Sequence, residues 1–157
     1  MKYRIQFVLL LVIAIALNGC AGNVSTAVPT TEPTNSPTEP SSTTPEGQAG
    51  LIAALEAKGA TVEVGEPITQ DFFRPQGTII KVNGQDIQVF EYESAKAMEN
   101  DASQVAPDGG SIGTTMVTWV DTPHFYKAGR IIVLYVGSDE IVLGLLETVL
   151  GSQFAGR

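Results

Sequence analysis

The stretch Thr78-Ile79-Ile80-Lys81-Val82-Asn83-Gly84-Gln85-Asp86-Ile87-Gln88-Val89-Phe90-Glu91-Tyr92 decides how this chain folds. Ile80 and Val82 lead into Asn83-Gly84, and Ile87, Val89 and Glu91 lead away from it with the same period. A period of two is that of a half-buried strand. Asn-Gly is the pair best able to take positive φ at both central positions of a type I′ turn. The spacing therefore predicts a β-hairpin with one apolar face.

Working outward, Ser94 is placed to cap a helix running to about Val105, with Ala95, Met98, Ala102 and Val105 turned inward and Glu99 and Asp101 outside. Pro107-Asp108-Gly109-Gly110 is a turn that ends it. Residues 114–120 read as a strand, His124-Phe125-Tyr126 as a short extension and residues 130–136 as a strongly apolar strand, with Lys127-Ala128-Gly129 as the loop between the last two. Ser138 caps a final helix whose positive end is complemented by Asp139 and Glu140. Ile141, Val142, Leu145, Leu146, Val149 and Leu150 share one face of it, and Gly151 closes it.

Upstream, residues 48–58 form an amphipathic helix with Leu51, Ile52 and Leu55 on one face and Gly59 as its C-terminal cap. Residues 61–64 are a short strand, with Val62 and Val64 on one side, before Gly65 and Pro67 interrupt it. Laying Ile87-x-Val89 and Ser94 over Ile131-x-Val133 and Ser138 gives a constant offset of 44 residues, the mark of a duplicated hairpin-helix unit. The expected architecture is α+β: a mainly antiparallel sheet with helices packed on one face, because each hairpin has one face and each helix one stripe to bury.

The first 19 residues have another character. Lys2 and Arg4 precede an apolar run from Phe7 to Leu17, 11 residues against the roughly 20 that a spanning helix needs. That is the layout of a signal peptide. Its end, Leu17-Asn18-Gly19-Cys20, resembles the lipobox of bacterial lipoproteins. The resemblance implies cleavage before Cys20 and a diacylglycerol thioether on it, and paired acyl chains anchor stably at about 0.8 kcal/mol per buried methylene. Cys20 is the chain's single cysteine, so the folded part is expected to hold no disulfide and no thiolate site.

Between positions 25 and 45, 16 of 21 residues are Ser, Thr or Pro, and none is aromatic. Such a composition cannot bury enough apolar surface to offset chain entropy, so residues 20–46 are expected to be an extended tether and residues 47–157 one compact domain. The whole chain has 9 Lys and Arg against 17 Asp and Glu, a net charge of −8, and loss of Lys2 and Arg4 would take it to −10. That balance argues against nucleic acid as a partner. It also favours a domain held off an anionic membrane surface, with the membrane contacted through Cys20.

The segments Phe72-Phe73, Val82-Asn83-Gly84, Val89-Phe90-Glu91-Tyr92, Pro107-Asp108-Gly109, Ile112-Gly113, Trp119, Pro123-His124-Phe125-Tyr126, Ile132-Val133-Leu134-Tyr135-Val136-Gly137 and Gln153-Phe154-Ala155-Gly156, within about Leu51 to Gly156, resemble a domain that recurs among bacterial lipoproteins with no established activity. The resemblance implies an envelope location and no particular reaction.

Chemistry-bearing residues are sparse. His124, the sole histidine, would need an orienting acid such as Asp121 and a hydroxyl nucleophile to act as a base, and no Gly-x-Ser-x-Gly motif accompanies it. One His and no other Cys exclude a zinc cluster in the domain, and the surroundings of Asp101 and Asp108 do not follow an EF-hand loop. Asp71, Glu91 and Glu93 are candidates for a glycosidase-like pair. Gly109-Gly110-Ser111-Ile112-Gly113 lacks the Lys-Ser/Thr ending of a phosphate loop. Neither a cofactor nor a metal is expected, and no catalytic residue is assigned. Trp119, His124, Phe125, Tyr126 and Arg130 are the candidate ligand-binding residues, because aromatics and Arg anchor interfaces. The leading expectation is an exported, non-enzymatic binding module on a lipid anchor. The alternatives are a small envelope hydrolase and a self-associating structural lipoprotein.

Overall fold

Asn83 and Gly84 both take positive φ, 52° and 85°. The chain therefore reverses in a two-residue turn whose twist matches that of the flanking strands. A computed structural model describes residues 44–157. The expected signal segment 1–19, Cys20 and the expected tether as far as residue 43 lie outside the described residues.

The elements follow in the order α1 (Gln48–Ala57), β1 (Val62–Ile68), β2 (Gly77–Val82), β3 (Gln85–Glu91), α2 (Ala95–Ala102), β4 (Ser111–Ile112), β5 (Thr115–Met116), β6 (Pro123–Ala128), β7 (Ile131–Val136), α3 (Glu140–Leu150) and β8 (Ala155–Gly156). Six strands make one sheet in the order β1-β2-β3-β7-β6-β8, with every neighbouring pair antiparallel. β4 and β5 form a separate small hairpin. The α+β architecture expected from the alternation is the one found. None of the described helices is long and apolar enough to cross a membrane.

β7 explains why residues 131–136 read as an unbroken apolar run: the strand is central and buried on both faces. Ile131, Val133 and Tyr135 point to one side, where Leu51 and Leu55 of α1 and Val142, Leu146 and Leu150 of α3 cover them. Ile132 and Leu134 point to the other, under Met98 and Ala102 of α2, Phe73, Phe90 and Phe125. α1 and α3 thus share one face. α2, the small hairpin and the loops around them close the opposite one. The two units at the 44-residue offset keep their strand faces in common, Ile87 and Val89 lying with Ile131 and Val133, while the helices that follow them go to opposite sides.

Several local expectations are corrected. β1 does not stop at Gly65 but runs to Ile68, with a register shift between Val64 and Pro67. An edge strand tolerates this, because its outer side has no ladder that needs the missing proline N–H. α2 ends at Ala102 instead of Val105, since Val105 is drawn into a bridge with Ile112. Only Thr115 and Met116 of the stretch 114–120 pair as a strand. The turn between β6 and β7 is Gly129-Arg130, because Ala128 still pairs with Ile131. Asp139, not Ser138, caps α3, its Oδ1 accepting from the N–H groups of Ile141 and Val142 at 2.9 and 3.1 Å. Ile141, expected inward, is 70% exposed.

Two residues before position 47 also touch the folded part. Pro45 is buried, and the Glu46 carbonyl accepts the Arg130 N–H at 3.0 Å. The chain therefore comes into the domain beside the β6–β7 turn.

Candidate ligand groove

Three segments far apart in sequence meet at the other end of β6. The first is the Pro107-Asp108-Gly109-Gly110 turn. Gly109 has φ +70°, and a Cβ there would lie 3.0 Å from Phe125 and 3.2 Å from Pro123, so the position requires glycine. Asp108 Oδ1 accepts the Gly110 N–H at 2.9 Å and stiffens the turn.

The second segment is residues 117–122, which belongs to no strand and leads into β6. Trp119 pins it. The indole Nε1 donates to the Gly109 carbonyl at 2.8 Å, and the ring stands edge-on between Phe72 and Phe125, with centroids 6.1 and 5.8 Å away. Two residues on, Asp121 Oδ1 accepts the Thr122 N–H at 2.7 Å. The third segment is the chain end. Gly156, at φ +104°, donates to the Pro107 carbonyl at 3.0 Å, and the Arg157 N–H donates to the Pro123 carbonyl at 3.2 Å. Together they enclose a groove of about 440 Å³, lined chiefly by Asp108, Val117, Trp119, Asp121, Thr122 and Arg157. Met116 and Val120, on the same loop, are 88% and 99% exposed.

Of the five expected binding residues only Trp119 lines this groove. Strand alternation separates the others. Phe125 is a core residue directly beneath Trp119, whereas Tyr126 belongs to the core of the opposite face. His124 is 7% exposed, stacks on Tyr135 and holds Gln153 Oε1 through Nδ1 at 2.7 Å. Its partner is thus an amide, not the expected acid Asp121. Arg130 lies at the far turn, where it pairs with Glu91 at 2.5 Å and donates to the Tyr92 carbonyl at 3.1 Å. Burial first, and the Glu147 charge second, push the Tyr126 hydroxyl above its ordinary range.

Of the three carboxylates named from sequence, two come to one cavity and the third does not. Glu91 and Glu93 border a smaller cavity of about 290 Å³ with Arg74, Pro75, Tyr92 and Ala97, and Asp71 is not among its walls. Asp101, expected outside, is 2% exposed and pairs with Arg74 at 2.7 Å, so it is committed away from Asp108. Among the described residues the Tyr92 hydroxyl is buried without a hydrogen-bond partner, and burial and then the Asp101 charge raise its pKa far above the usual tyrosine value. Among the described residues no three His, Cys, Asp or Glu side chains come together as a metal site.

Asp108, Asp121 and Arg157 are the charged groove residues, and sequence reasoning did not assign them to ligand binding. The only local signals were two Asp-initiated turns next to glycine or proline. No family model matches the chain, and neither a curated protein nor a solved structure is similar to it.

Proposed function

We propose that this chain is an exported bacterial lipoprotein, held to the cell membrane through Cys20, whose domain binds an envelope ligand without altering it. The observation that carries the binding role is the groove of about 440 Å³ at Trp119. Its volume falls within the range of about 300–1,000 Å³ common to small-molecule sites. Its walls are held by hydrogen bonds within their own turns, which lowers the ordering cost of binding.

Its position fits a tethered module. The chain comes in at Glu46, beside Gly129 and Arg130, and the groove lies at Pro123, the opposite end of β6. That strand spans roughly 17 Å at about 3.4 Å per residue. The groove and the point where residue 46 joins the domain therefore lie at opposite ends of that strand. The lipobox-like Leu17-Asn18-Gly19-Cys20 and the Ser/Thr/Pro-rich stretch support the anchor and the stalk. The hydrolase alternative loses its leading base, since His124 is buried against Gln153 and does not line the groove.

Two measurements test the proposal. Cells fed radiolabelled palmitate should label the wild-type chain and not Cys20→Ser; equal labelling of both would refute the anchor. A thermal-shift screen of the purified full chain in detergent, against wall fragments, oligosaccharides, peptides and lipids, should yield a concentration-dependent rise in melting temperature with one class. A cooperative melt that no ligand shifts would refute the small-ligand role.

A further inference from the structure

We propose that the groove takes a saccharide, seated on Trp119 with its hydroxyls turned to Asp108, Asp121 and Arg157; this deepens the binding reading above and rests on it. The indole N–H is already spent on the Gly109 carbonyl, so Trp119 offers the groove apolar surface and no donor. Wedged edge-on between Phe72 and Phe125, the ring is fixed in orientation before any ligand arrives. A pyranose ring has the matching shape, with an apolar C–H face and a rim of hydroxyls.

The polar walls complete the match. Asp108 and Asp121 each use Oδ1 on a neighbouring N–H, and the second oxygen of each receives no hydrogen bond from the described residues. Those oxygens can accept from hydroxyl groups in charge-assisted bonds, roughly twice as strong as neutral ones. Arg157, held at the rim by its main-chain bond to Pro123, supplies the donors that ring and substituent oxygens need. Carboxylates and a guanidinium on one rim also select against simple ions, because a small cation meets Arg157 and a small anion meets the two aspartates. A neutral ligand rich in both donors and acceptors meets neither repulsion.

Trp119 is the only tryptophan of the chain, so its emission reports the groove directly. The full chain in detergent micelles is titrated with tri-N-acetylchitotriose, cellotriose and maltotriose, and with spermidine as a cationic probe. The expected result is a saturable change in emission with at least one trisaccharide. Asp121→Asn and Asp108→Asn should each weaken it about tenfold or more, the loss of one charged hydrogen bond, at an unchanged melting temperature. A response to spermidine alone would overturn the saccharide class and leave the binding module standing. A trisaccharide response that both variants retain would overturn the assignment to this groove. Silence from all four probes would overturn the saccharide proposal, and the thermal-shift screen would then decide the broader binding reading separately.

Discussion

Asp101 is the residue whose environment departs furthest from what its position on a helix implies. Its carboxylate accepts from the Arg74 backbone N–H at 3.2 Å and from the Arg74 Nε at 2.9 Å, which ties the β1–β2 connection to α2. Burial by itself would push this carboxyl up, but the side-chain and backbone hydrogen bonds and the charge of Arg74 outweigh it, leaving it below its ordinary value of 3.8. Asp101→Asn should therefore destabilise the domain by about 1.5–3 kcal/mol at pH 7, the range for a hydrogen bond to a charged group, measured by urea denaturation. Because the folded-state pKa is the lower one, the stabilisation is complete above about pH 4 and is lost as pH falls through the folded value. Wild type and variant should converge in acid; a gap constant from pH 7 to pH 2 would show that the ionised pair is not its source. None of this was legible locally. Glu99 and Asp101 looked alike on a helix with Met98 and Ala102 inward, and Arg74 lies 27 residues away with no period to link them.

At the scale of elements, legibility followed how local the cause was. The Asn83-Gly84 hairpin was readable because the chirality of two residues fixes the turn, and Gly84→Ala at φ 85° should cost about 1–2 kcal/mol in urea denaturation. Helix faces were readable from period in part: Leu51 and Leu55, and Val142, Leu146 and Leu150, are buried, but Ala95 and Ile141, expected inward, are exposed. The start of α3 was legible only to within one residue, since Ser138 and Asp139 are both capping types. Asp139 makes the bonds, so Asp139→Ala should cost about 0.5–2 kcal/mol and Ser138→Ala close to nothing in the same denaturation experiment. Equal losses would place the cap elsewhere. The strand expected over residues 114–120 shows where alternation misleads. Val117 and Trp119 do alternate inward, but beyond Met116 no strand pairs with the segment, and Trp119 is held by the Gly109 carbonyl instead. A period of two reports which side chains are buried; whether a ladder forms depends on a neighbour that the segment does not encode.

For the molecule as a whole, the groove and the point where the chain comes in are both products of long-range assembly. Trp119 was singled out by residue type, but its walls come from a turn, a loop and the chain end that only the closed sheet unites. Among the described residues, both core clusters draw on positions 51 to 155. A clasp marks the boundary. Pro45 is buried, the Glu46 carbonyl holds Arg130, and a Cβ on Gly129 at φ +50° would lie 2.5 Å from the Glu46 Cα. Proteinase K acting on the purified full chain should therefore cut within the Ser/Thr/Pro-rich stretch and stop near residue 44, leaving a fragment that melts with the intact chain. Gly129→Ala should lower stability by more than about 1 kcal/mol, because it places a side chain where φ is positive and space is filled. It should also let cleavage advance past Glu46 toward α1. If the boundary stays at residue 44 in that variant, the docking of Pro45 and Glu46 on the β6–β7 turn does not set it.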